Sequence, residues 1–221
     1  MLYALLFLFF AAYLVVIAAL VGGFAWALLW PAASFVLFAL VYALNNPHLL
    51  GKRADGRLAW WSWPALGPVF VLLAVLWHLS RKLRREAVCH EVAPGLWLGR
   101  RPLRDEIPHG VRLVVDLTAE FATVRGAIGG RNYICLPTLD GLAPGSTEVE
   151  AVLARIEASD GPVYIHCALG HGRSALVAAA VLLRRGVVGD VGAAEAHLRE
   201  RRPGVRLKGV QKRLLERMFG V

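Results

Sequence analysis

The first part of the chain lacks charge. Residues 1–51 contain no Asp, Glu, Lys or Arg, and residues 52–80 contain only Lys52, Arg53, Asp55 and Arg57. The chain as a whole is nevertheless 57% hydrophobic with a formal net charge of +9. Because the apolar and the charged residues are separated along the sequence, a wholly soluble globule and a disordered chain are excluded. The composition indicates a membrane segment followed by a basic, soluble domain.

Cysteine is also scarce. The chain has 3 cysteines, at positions 89, 135 and 167, and this odd, sparse set excludes a small disulfide scaffold. Cys89 and Cys135 lie on or near predicted strands and are interpreted as small core residues, although a resolving role for either thiol stays open. Cys167 lies in a motif of a different kind, which is described below.

The apolar part predicts three membrane spans and a basic linker. A single helix of 51 residues would be about 77 Å long, more than twice the roughly 30 Å hydrocarbon core, so the chain must turn back at Gly22-Gly23. The predicted spans are residues 2–21, 24–44 and 58–80, and tryptophans near both ends of the third fit the membrane interfaces. Residues 81–85 follow as the linker, and residues 86–221 form the predicted second domain.

Two further expectations concern the membrane. A cleaved signal peptide fits poorly, because Met1-Leu2-Tyr3-Ala4 has no basic residue and the apolar run is too long. Linker residues 81–85 carry four basic side chains, whereas the loop at 45–57 carries three basic and one acidic. The positive-inside rule therefore places the second domain in the cytoplasm and the amino terminus outside, in a multi-pass membrane protein. The absence of charge inside the spans favours an anchor over a transport path.

The second domain predicts an α/β fold. Short apolar runs bounded by Gly or Pro indicate strands at 96–99, 111–117, 132–136 and 162–166. Helical patterns occur at 146–158, 173–185, 190–201 and 208–219. We therefore expect a central sheet flanked by helices, preceded by the helical membrane region, in a domain long enough for its own core.

One segment carries a chemical signal. The apolar strand 163–166 runs into Cys167, a loop with Gly170 and Gly172 follows, and Arg173 opens the next helix. Loop N–H groups and the positive end of that helix would converge on one point, and such an arrangement binds an anion. The same dipoles would stabilise a Cys167 thiolate, and Arg173 offers a planar fork for phosphate oxygens. A buried structural thiol would leave Arg173 and both glycines unexplained.

The segment resembles a known family. His166-Cys167, five residues and then Arg173-Ser174 is similar to the His-Cys-x5-Arg-Ser/Thr signature of cysteine-dependent protein tyrosine phosphatases, and the short domain looks like the dual-specificity branch. Residues 92–99, 114–117 and 202–219 resemble further parts of that domain. The resemblance implies that Cys167 is the nucleophile, that Arg173 binds phosphate, and that Ser174 donates to the sulfur. Residues 167–173 are called the signature loop below. Backbone groups of five of its members would bind phosphate: Ala168, Leu169, Gly170, His171 and Gly172.

The resemblance also requires a proton donor on a loop upstream. Asp140 follows the third predicted strand and is flanked by Pro137 and Gly141, which suits a mobile loop. Asp116 and Asp105 compete on residue type, but Asp116 lies inside a strand pattern and Asp105 on an early surface segment. His166 is expected to tune the thiolate through hydrogen bonds. Neither a metal nor another cofactor is implied, and the other histidines show no ligand spacing.

The implied activity is hydrolysis of phosphomonoesters through a cysteinyl-phosphate, with phosphoproteins as substrates. Two alternatives stay open: a phospholipid monoester phosphatase at the membrane surface, and an inactive module that only binds phosphate. Between Cys167 and Arg173 only His171 could become a cation, which disfavours polyphosphorylated inositol headgroups. A basic run near the carboxyl terminus is expected either to attract anionic lipids or to be solvated, and nucleic acid is not an expected partner. That run comprises Arg199, Arg201, Arg202, Arg206, Lys208, Lys212 and Arg213.

Overall fold

The computed structural model describes residues 2–124 and 126–220, which form two compact units. The first unit comprises the chain up to residue 53 with residues 57–85 and 119–122. The second comprises residues 54–56, 86–118 and the chain from 123 onward.

The first unit is built from three long apolar helices. They are α1, Leu2–Val21; α2, Leu29–Ala43, which continues a 3-10 turn at Gly23–Leu28; and α3, Ser62–Leu83. Segments Leu2–Val21, Gly23–Ala43 and Ser62–Leu83 have mean hydropathies of 2.9, 2.0 and 1.6, and each is long and apolar enough to cross a membrane. Rings of α1 and α2 pack together, as with Phe7 and Phe38 at a centroid distance of 5.5 Å.

The third helix begins later and ends later than its sequence pattern predicted. Leu58, the first residue of the apolar run, pairs with Lys52 in an antiparallel bridge instead of joining the helix. Ser62 opens α3, and its hydroxyl donates to the Leu50 carbonyl. At the other end α3 includes Arg81 and Lys82, because apolarity determines membrane burial but does not determine where a helix stops.

The second unit contains a mixed sheet of five strands, and the predicted central sheet flanked by helices is confirmed. The strands are β1, Cys89–Ala93; β2, Leu96–Arg100; β3, Leu113–Thr118; β4, Asn132–Thr138; and β5, Val163–Cys167. Their order is β1-β2-β5-β3-β4, and only the β1–β2 pair is antiparallel. Strand β1 was not predicted, because its segment Cys-His-Glu-Val-Ala is too polar to show the apolar pattern of a strand.

Four helices complete this unit: α4, Ser146–Glu157; α5, Arg173–Arg184; α6, Val191–Arg201; and α7, Gly209–Phe219. Helix α5 is the most buried of them, since every residue from Arg173 to Leu182 is shielded from solvent. The main core lies between the helices and one face of the sheet. A smaller apolar cluster around Val114 and Tyr164 covers the other face.

This topology determines where a ligand would bind. Strand β5 is the middle strand and is parallel to both neighbours, β2 and β3. Ligands of such sheets bind outside the carboxyl ends of the parallel strands, because the loops and helix N-termini that can contact a ligand lie at that edge. Residues 167–173 leave β5 at that edge and lead directly into α5.

Candidate active site

The signature loop has a conformation that requires glycine at position 170. Gly170 has a φ of +79°, which is in the left-handed region. A Cβ atom at this position would lie 2.5 Å from the carbonyl carbon of Gly99, a backbone atom that has little room to move. The loop therefore packs directly against the end of β2, and only a residue without a side chain permits that approach.

Cys167 lies at the bottom of the loop, 4% exposed. Its Sγ accepts a hydrogen bond from the Gly170 N–H at 3.3 Å and another from the Ser174 hydroxyl at 3.3 Å. Burial by itself raises the pKa of the Cys167 thiol, but the Arg173 charge and these hydrogen bonds outweigh burial and lower the pKa below its usual value. The environment thus favours a thiolate.

The carbonyl groups of the loop point away from the sulfur. The Ala168 carbonyl accepts from the Arg101 N–H at 3.2 Å, and the His171 carbonyl accepts from the Arg206 N–H at 2.9 Å. The two carbonyls between them accept from the Arg202 side chain at 2.8 and 2.9 Å. Because the C=O and N–H of a trans peptide point in opposite directions, the following N–H groups face the inside of the loop. This arrangement is an oxyanion cradle.

Arg173 and Asp140 meet at the rim of this cradle. Arg173 is 1% exposed, and its Nη1 donates to the Thr138 carbonyl at 2.8 Å. Its Nε lies 3.4 Å from Oδ1 of Asp140, whose side chain is 61% exposed. Asp140 follows the last residue of β4 by two positions and lies in a turn with Gly141. The structure therefore brings an exposed carboxylate next to the buried guanidinium.

The competing aspartates lie in other surroundings. Asp116 is 1% exposed and accepts hydrogen bonds from Thr118, Thr123 and Tyr133. Asp105 lies on the surface, with its side chain 86% exposed and 3.9 Å from the Nε of Arg104. Asp116 is thus placed within a buried polar network, whereas Asp140 lies beside the signature loop.

His166 connects that network to the strand that carries Cys167. Its ring is 3% exposed, and Nδ1 lies 3.8 Å from Oδ1 of Asp116 and 3.4 Å from the carbonyl oxygen of Cys167. These contacts connect the ring to Asp116 and to the Cys167 backbone and do not place it as a base. Within the described ranges, 2–124 and 126–220, no group of three or more His, Cys, Asp or Glu side chains is arranged to hold a metal ion.

Two residues of the site were missed from the sequence. Arg202 was assigned to the basic surface run, and this is wrong, because it is 0% exposed and its guanidinium contacts the signature loop. Glu86 was not singled out at all, yet its carboxylate lies 2.7 Å from Nε2 of His171. A signal for Arg202 existed: Pro203 and Gly204 end helix α6 there, so Arg202 does not continue the solvated face of that helix.

Removal of the Ser174 hydroxyl should raise the pKa of Cys167. Ser174→Ala deletes the 3.3 Å hydrogen bond to Sγ, so that only the Arg173 charge and the backbone donors remain to oppose the effect of burial on the thiolate. We expect the pH profile of Cys167 alkylation to move to higher pH and turnover to fall by about tenfold. Iodoacetamide labelling of the full-length protein measures the first effect, and an unchanged profile would contradict it.

Part of this domain matches a known protein family. Residues 101–187, which include the whole signature loop, match a family described as polymorphic toxin system, DSP-PTPase phosphatase. This part of the chain is therefore similar to dual-specificity phosphatases. Arg202 lies beyond the matched residues. Among curated proteins, none matches the chain at a significant level.

Solved structures of similar phosphatases share the fold of this domain. The active form of Tk-PTP has a TM-score of 0.55 and 24% identity, over 60% of this chain and 97% of that one. PTPMT1, solved in complex with PI(5)P, has a TM-score of 0.52 and 20% identity, over 60% and 95%. Human DUSP28 has a TM-score of 0.52 and 22% identity, over 59% and 95%. At these identities the likeness shows the fold of the domain.

Proposed function

We propose that the chain is a membrane-anchored phosphomonoester hydrolase that works through a cysteinyl-phosphate and acts on phosphoproteins. One observation carries the proposal. The Cys167 sulfur accepts hydrogen bonds from Gly170 and Ser174 inside a loop whose N–H groups point inward. A structural thiol gains nothing from such donors, whereas a nucleophile and leaving group at phosphorus does.

The first step forms the S–P bond. The Cys167 thiolate attacks phosphorus while the bond to the ester oxygen breaks, and Asp140 gives its proton to that oxygen. Charge on the three equatorial oxygens is held by the loop N–H groups and by Arg173, which are oriented before the substrate arrives. The alcohol or phenol then leaves, and phosphate stays bound to Cys167.

The second step restores the enzyme. Asp140, now a carboxylate, takes a proton from water as the water oxygen attacks phosphorus. The S–P bond breaks, its electron pair returns to Cys167 as a thiolate, and inorganic phosphate departs. Ser174 assists here, since its hydrogen bond stabilises the charge that returns to the sulfur.

Removal of the Asp140 carboxyl proton should slow the hydrolysis of substrates with poor leaving groups more than that of substrates with good ones. For Asp140→Asn we expect about a hundredfold fall in kcat/KM with phenyl phosphate, whose leaving group needs a proton, and a much smaller fall with p-nitrophenyl phosphate. The constant kcat/KM is compared because it reports the first step and not the hydrolysis of the cysteinyl-phosphate, in which Asp140 acts as base for every substrate. Steady-state rates across a series of substituted phenyl phosphates measure the effect. Asp105→Asn is the matched control and should behave as wild type, because Asp105 lies on the surface beside Arg104. A uniform loss across the series would place the acid elsewhere.

A lipid substrate is the second candidate. Three helices are apolar enough to span a membrane, and similarly folded PTPMT1 was solved with PI(5)P. Both facts favour a phospholipid monoester near the bilayer surface. The Glu86 contact on His171 argues against polyphosphorylated headgroups, since its negative charge offsets the one cation that the side chains between Cys167 and Arg173 could supply.

The test uses the full-length protein in detergent micelles. Phosphotyrosine, phosphoserine and phosphothreonine peptides are compared with phosphatidic acid and a phosphatidylinositol monophosphate, and phosphate release is measured. We expect phosphotyrosine peptides to have the highest kcat/KM, and acid quenching to trap phosphate on the peptide that contains Cys167. A preference for the lipids would support the second candidate. Phosphate binding with no turnover of any substrate would show an inactive binding module and end the proposal.

A further inference from the structure

The Arg202 side chain hydrogen-bonds to the outer side of the signature loop. Its Nη2 donates to the Leu169 carbonyl at 2.8 Å, and its Nε donates to the Gly170 carbonyl at 2.9 Å. Its Nη1 also donates to the Ala87 carbonyl at 3.1 Å, which connects the same side chain to the start of the domain. The planar fork therefore fixes two consecutive peptide groups at once.

These two peptide groups are part of the oxyanion cradle. In the first of them, the carbonyl of Leu169 faces Arg202 while the N–H of Gly170 donates to the Cys167 sulfur. Arg202 and the sulfur thus lie at opposite edges of one planar amide. In the second peptide group the Gly170 carbonyl is held in the same way, so the His171 N–H points to the inside. A rotation of either amide would turn a donor away from the phosphate position.

Glu86 holds both partners of this arrangement. Its Oε2 lies 2.7 Å from Nε2 of His171 and 3.4 Å from Nη2 of Arg202, and its side chain is 20% exposed. Burial lowers the pKa of Arg202, and the negative charge of Glu86 opposes this change. A fully buried guanidinium without such a carboxylate would carry an uncompensated charge.

We propose that Glu86 is a positioning residue that, through Arg202 and His171, keeps the N–H groups of Gly170 and His171 directed at the substrate phosphate. Glu86 contacts the outer side of the loop and is not itself a catalytic residue. It is the first residue after the basic linker 81–85, so the order of the loop depends on how the domain begins. The inference deepens the proposed function and rests on it only for turnover.

Two effects of Glu86 on the loop have opposite signs. As a nearby negative charge, Glu86 would weaken anion binding and disfavour the thiolate, so its removal would improve both. As a positioning residue, it improves both, so its removal would harm them. Charged or titratable groups that face Glu86 in the described part of the chain include His171, Arg202 and His90, whose Nδ1 lies 3.2 Å from Nη1 of Arg202.

The test is Glu86→Gln in the full-length protein in micelles, which removes the charge at constant size. We expect inorganic phosphate to bind about tenfold more weakly, kcat/KM for p-nitrophenyl phosphate to fall by a similar factor, and Cys167 alkylation to require a higher pH. Phosphate affinity is measured as protection of Cys167 from iodoacetamide, read by mass spectrometry of its peptide. This readout needs no turnover, so it stands even if the protein hydrolyses nothing.

Glu195→Gln is the matched control. Glu195 is also mostly buried and paired, at 2.5 Å from Nζ of Lys212, but its partners are that lysine and the Leu207 N–H. We expect it to lower thermal stability while the alkylation profile stays that of wild type. Tighter phosphate binding by Glu86→Gln, or no change beyond that of Glu195→Gln, would overturn the proposal.

A milder variant keeps the test decisive if Glu86→Gln does not fold. Glu86→Asp retains the charge and withdraws the carboxylate by one methylene, which breaks the contact geometry alone. Weaker phosphate binding by this variant supports the positioning role, because the charge near the loop is unchanged. Wild-type binding by Glu86→Asp would overturn it.

Discussion

Replacement of Cys167 by serine should lower kcat for p-nitrophenyl phosphate by at least about 10⁴-fold. A serine hydroxyl stays protonated where the donors around Cys167 lower the pKa of the thiol, so the variant has no nucleophilic anion. Phosphate binding should survive, because the loop N–H groups and Arg173 remain in place. Initial rates and the dissociation constant for inorganic phosphate, measured with the full-length protein, check both parts.

The other two cysteines provide the control for this prediction. Burial raises the pKa of Cys89 to about 11, although the Arg202 charge opposes it, so Cys89 should resist alkylation at neutral pH. Cys135→Ser removes a partly buried thiol from β4 and should leave kcat near that of wild type. Equal rates for wild type and Cys167→Ser would rule out Cys167 as the nucleophile.

Arg173→Lys should lower kcat/KM by about 10³-fold although it conserves the charge. The guanidinium donates to the Thr138 carbonyl through Nη1 and faces Asp140 through Nε, so its orientation is determined on two sides. A single ammonium group cannot keep these contacts and still offer paired donors to phosphate oxygens. The loss should appear in turnover and in phosphate affinity together, as measured by steady-state rates and by protection of Cys167 from alkylation.

A second arginine of the same helix separates this effect from a general cost of the substitution. Arg184, at the end of α5, pairs with Glu150 and Glu157 on the outside of the domain. We expect Arg184→Lys to retain a near wild-type rate, because surface ion pairs contribute little and lie apart from the loop. A comparable loss in both variants would mean that Arg173 acts on stability and not on phosphate.

Much of the fold was predictable because its signals are local. The apolar runs of the first 80 residues and the short strands bounded by Gly or Pro depend on residues that are neighbours in sequence. The strand–loop–helix around Cys167 belongs to the same class, since nucleophile, cradle and Arg173 come from seven consecutive residues. β1 was missed because an edge strand gains its hydrogen bonds from a partner and need not be apolar.

The remainder of the site depends on contacts between distant segments. Glu86 lies 85 residues from His171 in the chain, and Arg202 lies 32 residues from Gly170. Residue type gave no indication of these pairs, since a glutamate after a basic linker and an arginine in a basic run are both typical of solvated surface. Asp140 was selected by its place after a strand, but its pairing with Arg173 is visible only in three dimensions.

The sequence by itself determined the division into an uncharged apolar region and a basic α/β domain, and the resemblance to a phosphatase signature. These features follow from composition and from spacing within short segments. Only the tertiary structure decided which charges are solvated and which are buried. The sequence predicted Arg202 to be a surface cation, whereas in the structure it is the residue that orients the signature loop. Helix α6 ends just before Arg202, and the side chain therefore lies against the carbonyls of that loop.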